Sequence, residues 1–128
     1  REQIREGPAA SNFRALSGIL SVNLRDDASY DFIASQLKEC DIVVDAIFGT
    51  GFYGKLPHKI WRIIEAANNS KAKRIAVDVP SGFSGTPAAE QAFNADYTIT
   101  FHKPKDGLMH FKPAGKVVVT EIGAQTRL

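Results

Sequence analysis

Residues 41–54 run Asp-Ile-Val-Val-Asp-Ala-Ile-Phe-Gly-Thr-Gly-Phe-Tyr-Gly. The first half is apolar and β-branched, broken only by Asp45, and predicts a strand buried on both faces in the middle of a parallel sheet. The second half, Gly49-Thr50-Gly51-Phe52-Tyr53-Gly54, is a glycine-rich turn, with Pro57 and a helical run directly after it. Strand, glycine turn and helix form an anion-binding loop: N–H groups at a helix start point outward, and glycines let a phosphate approach them. A second turn, Asp78-Val79-Pro80-Ser81-Gly82, ends the next predicted strand. In a parallel sheet both turns lie at the carboxyl ends of the strands, where open α/β sheets bind ligands.

Outward from this centre, helices and strands alternate through the first two-thirds of the chain, and strand-only segments follow. Upstream, residues 1–6 are a charged leader, residues 9–16 a short helix, residues 19–24 a strand by alternation, and residues 28–40 a helix. Asp26 and Asp27 are its N-cap candidates, and Tyr30, Ile33, Ala34 and Leu37 recur at helical spacing. Downstream, residues 56–69 form a helix whose stripe is Ile60, Ile63, Ile64 and Ala67. Strands follow at 74–79, 95–101 and 116–122, the second with Tyr97, Ile99 and Phe101 on one face. Residues 81–94 form a loop without a clear element, residues 102–115 a turn-rich connection, and residues 123–128 a tail. This order predicts a doubly wound, mostly parallel α/β sheet.

The 128 residues bound one domain or part of one, with 44% apolar and 23% charged residues, ordinary globular values. A net charge of +2 gives no argument for nucleic acid or membrane, and a pI of 8.8 suits phosphate-bearing small ligands. The single cysteine, Cys40, excludes an internal disulfide and reads as a small apolar group. No run is long enough to span a membrane. The chain opens on Arg1 rather than methionine, as a fragment or processed product would.

Residues 49–54 fit the dinucleotide pattern Gly-x-Gly-x-x-Gly, and Asp78 stands where the ribose-binding acid of that fingerprint would stand. An NAD-binding half-domain is therefore one reading. Against it, Asp45 lies inside the strand, and Asp78 opens a tight turn. Asp45 reads either as a carboxylate satisfied by backbone N–H groups of the glycine turn just beyond it or as a cation ligand or polar anchor. Asp78 and Ser81 read either as turn residues bonded to the backbone or as oxygens for a hard cation, with a carboxylate free for acid–base work. Lys103 and Lys105 flank Pro104 and are solvated by default; on the ligand edge they could face a phosphate. His102 and His110 have no acidic or Cys partner at ligand spacing and give no catalytic or zinc site, and His58 reads as an exposed residue in the first turn of a helix.

Five ordered stretches carry a resemblance: Val-Val-Asp-Ala-Ile-Phe-Gly-Thr-Gly-x-x-Gly at 43–54, Ala-Val-Asp-Val-Pro-Ser-Gly at 76–82, Ala-Asp-Tyr-Thr-Ile-Thr-Phe at 95–101, Pro-Lys-x-Gly-Leu at 104–108, and Gly-Lys-Val-Val-Val-x-x-Ile-Gly at 115–123. Together they resemble the YjeF N-terminal domain family, the NAD(P)HX epimerases. The resemblance implies a Rossmann-like three-layer sandwich, a mostly parallel sheet with helices on both faces, in one domain over residues 1–128. It implies interconversion of the R and S epimers of hydrated NADH and NADPH, so that a partner dehydratase can restore the cofactor. Gly49, Thr50, Gly51, Phe52, Tyr53, Gly54, Lys55 and Asp78 would hold the substrate, Asp78 would act as general acid/base, and Asp45 and Ser81 would bind a potassium ion. A homodimer is compatible with the family, and the expected location is cytoplasmic, or mitochondrial in a eukaryote.

The family's Asn-Asn-Gly-Gly-Asp-Gly loop has no match here, and Arg1 would fall mid-domain, so a truncated domain with half a site is expected, inactive or poorly stable on its own. The alternatives are a non-catalytic binding or dimerisation module, as in mRNA-decapping scaffolds, and a plain Rossmann NAD-binding domain.

Overall fold

The computed structural model describes residues 7–16, 18–85 and 89–123. The expected leader at 1–6 and most of the tail at 123–128 lie outside them. Three α-helices and four β-strands follow in the order α1 (Pro8–Ala15), α2 (Asp27–Glu39), β1 (Ile42–Asp45), α3 (His58–Asn68), β2 (Lys73–Val77), β3 (Tyr97–Phe101) and β4 (Lys116–Thr120). Two 3-10 turns, Leu108–His110 and Lys112–Ala114, fill the connection before β4.

Local chemistry sets these boundaries. α1 begins with proline in its first turn, where the missing N–H costs nothing. α2 begins at a reciprocal cap. Ser29 N donates to Asp26 Oδ1 at 2.9 Å, and Asp26 N donates to Ser29 Oγ at 3.2 Å. The Ser29 N–H holds the Asp26 carboxyl below its ordinary value. α3 starts at His58, four residues after Gly54, so the glycine turn precedes the helix rather than forming its first turn.

The strands form one parallel sheet in the order β1-β2-β3-β4. The register aligns Asp45 with Ala76, Ala76 with Thr98, and Thr98 with Val117. Residues level with one another share a face, and this row belongs to the covered face. Over Ala76, a cluster of Leu56, Ile64, Ala67 and Phe93 is joined by Val43, Leu37 of α2 and Trp61 of α3. Beside Val117, a second cluster of Val79, Phe83, Leu108, Phe111 and Ala114 lies under the long loops. Thr98, fully buried, donates from Oγ1 to Ala114 O at 2.7 Å.

The chain is thus an α/β, Rossmann-like domain with a parallel sheet. Two expectations are corrected. The 41–48 strand was expected to be buried on both faces and central. It is an edge strand in the sheet order, and Ile42 and Val44 are 57% and 58% exposed. The opposite face continues through Tyr97, Ile99 and Val118, all more than a third exposed, so among the described residues α2 and α3 cover one face and the other is left largely open. Residues 19–24 form no strand. Their alternation suits a pleat, but a strand exists only when its N–H and C=O groups find a neighbour, and β1 pairs only with β2 among the described residues.

Candidate active site

The parallel register brings the carboxyl ends of β1, β2 and β3 together. β1 ends at Asp45, which is 3% exposed although it carries a carboxylate. Three donors satisfy it. Ile47 N and Ser81 Oγ donate to Oδ1 at 3.2 and 2.7 Å, and Ser81 N donates to Oδ2 at 2.7 Å. Ser81, fully buried, also accepts from Phe48 N at 3.2 Å. Buried polar groups are costly unless paired, and this network pairs them while tying the glycine turn to the Pro-Ser-Gly turn. The expected N–H donors from the glycine turn are not the ones that meet Asp45: Ile47, ahead of that turn, gives one bond, and the main partner, Ser81, lies 36 residues away.

The glycine turn opens with Phe52 N donating to Gly49 O at 3.2 Å. Phe52 folds back and stacks on Phe48, ring centroids 4.5 Å apart, while Tyr53 is 79% exposed. At Gly49 and Gly51 an added Cβ would meet nothing within 4 Å, and φ lies outside the left-handed region. The fold therefore has no steric need for glycine at either position. A cleft of about 290 Å³ runs from Gly54, Lys55 and Leu56 to Gly82, Ser84 and Gln91, at the low end of small-ligand clefts. At its rim, Lys55 Nζ lies 3.8 Å from Glu90, both well exposed.

Asp78 follows β2 directly. Its φ is 68°, in the left-handed region, where Asp is tolerated better than most residues. Its amide donates to Ile99 O at 2.8 Å, which seats it between β2 and β3. Oδ1 accepts from Thr100 Oγ1 and Phe101 N, both at 3.3 Å, and pairs with Lys105 Nζ at 2.6 Å. The carboxylate keeps 22% of its side-chain surface exposed, so it is held from below yet reachable. Lys103 is exposed, as a solvated lysine should be. Lys105 is not: it turns back onto Asp78. The sequence signal was only the Lys-Pro-Lys turn, and nothing local shows that it meets Asp78. Thr100, buried beneath the same carboxylate, was also not singled out.

The structure thus brings Asp45 and Ser81 into direct contact and sets Asp78 at the neighbouring strand end. Among the described residues no group of three or more His, Cys, Asp or Glu could hold a metal ion, and no helix is long and apolar enough to cross a membrane.

Known proteins with this sequence pattern are consistent with that edge. A profile of the YjeF-related protein N-terminus matches residues 5–107. The chain is 44% identical over 103 residues to a bifunctional NAD(P)H-hydrate repair enzyme Nnr of Methanothermobacter thermautotrophicus, covering 74% of this chain and 20% of that protein. It is 41% identical over 100 residues to an NAD(P)H-hydrate epimerase of Rhodopirellula baltica, covering 74% and 41%. It is 32% identical over 123 residues to an NAD(P)H-hydrate epimerase of Cenarchaeum symbiosum, covering 94% and 56%. The chain therefore spans well under two thirds of each of these relatives. A profile match over most of the chain, with relatives of this identity, places it by descent: the chain belongs to the YjeF-related N-terminal domain family.

Proposed function

We propose that this chain carries the site of an NAD(P)H-hydrate epimerase, which interconverts the R and S epimers of hydrated NADH and NADPH. The observation that carries it is the sheet edge, where an open glycine turn is clamped beside a reachable, anchored carboxylate, in a family whose relatives bear that activity in their names. Gly49, Thr50, Gly51, Phe52, Tyr53, Gly54 and Lys55 hold the dinucleotide, with backbone N–H groups toward its phosphates. Asp78 is the general acid/base. Its carboxylate takes the proton of the substrate hydroxyl as the bond from that ring carbon to the ring nitrogen breaks, and the electron pair passes to nitrogen. The carbonyl so formed turns, nitrogen attacks its other face, and the proton returns to oxygen. An S-specific dehydratase then consumes the S epimer.

Asp45 and Ser81 fit a potassium ion in donor chemistry: both are oxygen donors, one charged. Ser81 directs its hydrogen at Asp45 Oδ1 and accepts from Phe48 N with one lone pair, which leaves its second lone pair for a cation. The ion would organise these oxygens and the loop.

Both readings can be tested on the full gene product. R and S NADPHX are mixed with excess S-specific dehydratase until the S form is consumed, and the protein is then added. Renewed NADPH formation is expected. A folded protein that restores none points to a non-catalytic binding module. Replacing potassium with tetramethylammonium is expected to weaken ligand binding; unchanged affinity removes Asp45 and Ser81 from ion binding.

A further inference from the structure

Lys105 occupies a position where a lysine ordinarily reaches into water. Its Nζ instead contacts Asp78 Oδ1 at 2.6 Å, Phe101 O at 2.9 Å, Thr100 Oγ1 at 3.4 Å and Lys103 O at 3.5 Å. An ammonium has three N–H groups, and these protein oxygens take them, so Lys105 is not left to bind a phosphate. Fixing so long a side chain costs rotamer entropy, which an incidental surface pair does not recover. This pair is partly buried at both ends, 23% exposed at Lys105 and 22% at Asp78.

The backbone around the pair is also specialised. Among the described residues, Asp78 and His102 are the non-glycine residues in the left-handed region, with φ of 68° and 65°. One presents the carboxylate. The other turns the chain after β3, with His102 N bonded to Thr120 O at 2.9 Å and Lys103 N to Phe101 O at 2.7 Å. Leu108 N then donates to Lys105 O at 3.0 Å. At Gly107 a Cβ would fall 2.8 Å from Gly85 O, so the return of the chain is tightly packed. Strained backbone persists where surrounding structure over-determines it, commonly at functional sites. Here Asp78 carries the carboxylate of the ion pair, and His102 turns the chain between Phe101 and Lys105.

We propose that Lys105 is a positioning residue for Asp78, and that the Asp78–Lys105 pair is the unit that performs the proton transfer. This rests on the acid/base role given to Asp78 above. A carboxylate that takes and returns a proton across two faces of a turning carbonyl must keep one orientation throughout. Lys105, with Thr100 and the Phe101 amide, fixes that orientation through Oδ1. The ammonium also stays beside the carboxylate as its charge changes.

The test uses the full gene product and the coupled assay. Lys105→Met keeps chain length and removes the ammonium. Its kcat is expected to fall on the order of 100-fold, while KM changes less than about threefold, because the glycine turn still binds substrate. A kcat within about twofold of the parent overturns the proposal, as does a loss carried by KM alone. Should Lys105→Met melt below the assay temperature, Lys105→Ala is assayed in the cold with and without ethylammonium. Return of kcat supports the proposal, and no return overturns it. Asp78→Asn is run in parallel. If it is inactive while Lys105→Met is fully active, only the role of Lys105 fails. If Asp78→Asn is itself active, the acid/base assignment beneath it fails.

Discussion

Asp78→Asn is expected to fold normally and to lose epimerisation by roughly 100- to 10,000-fold in kcat, the range a positioned acid/base contributes. Asparagine suits the test because it tolerates the left-handed backbone, and φ here is 68°. Its amide oxygen can still accept from Thr100, Phe101 N and Lys105, the donors that meet Oδ1. What disappears is the charge and the ability to carry a proton. The weaker bond to Lys105 costs about 1 kcal/mol of stability, a small part of the margin of a folded domain. Asp78→Ala would be a poorer choice, since it removes every bond to Oδ1 and strains the backbone as well, so lost rate and lost fold would be confounded. A thermal melt near that of the parent with no NADPH recovered in the coupled assay is the expected pair of results. An Asp78→Asn variant within tenfold of the parent rate sinks the acid/base role.

Much of this site was legible in the sequence, because it is encoded by local signals. The glycine turn after an apolar strand, the Asp78-to-Gly82 turn and the Asp26–Ser29 cap each lie within a few residues, where spacing fixes geometry. The parallel pairing of β1 and β2 then follows from the helix between them, and it places the two turns on one edge. What stayed hidden depends on long-range pairing. Ile42 and Val44 look like core residues by composition, but their burial is decided by what covers the face they point to, and that face is open. In β3 the alternation was visible, yet the threonines rather than Tyr97 and Ile99 are buried, because Thr98 and Thr100 find Ala114 O and Asp78 as partners. The meeting of Lys105 and Asp78 requires the β2–β3 register, Val77 against Ile99, together with the reversal at His102. Neither is written in Lys-Pro-Lys.

One substitution made at two glycines separates fold from function. Gly82→Ala is expected to destabilise the protein by about 3 kcal/mol or more, lowering the melting temperature by roughly 10 °C. Gly82 has φ of 97°, and a Cβ there would stand 2.2 Å from Gln91 O and 2.8 Å from Ala92 Cα. Both neighbours are backbone atoms, and both belong to the stretch that Phe93 N anchors to Ser81 O at 2.8 Å. The clash cannot be relieved by turning a side chain; the loop over the second core cluster has to move, and Ser81 with its bonds to Asp45 moves with it. Gly51→Ala meets the opposite conditions: nothing within 4 Å and no left-handed φ. There the methyl group reduces the freedom of the unfolded chain, so stability is expected to hold or rise by about 0.5 kcal/mol. If the turn binds dinucleotide through bare backbone, the same methyl group obstructs the approach, and ligand affinity is expected to fall on the order of tenfold or more, near 1.4 kcal/mol. Calorimetric melts and ligand titrations on the two variants give four readings. A Gly51→Ala protein that melts like the parent and binds the hydrated cofactor equally well would remove the glycine turn from the binding site. A Gly82→Ala protein that melts like the parent would mean that the close approach of the two loops does not hold the edge together, and the clamp between Asp45 and Ser81 would have to stand without it.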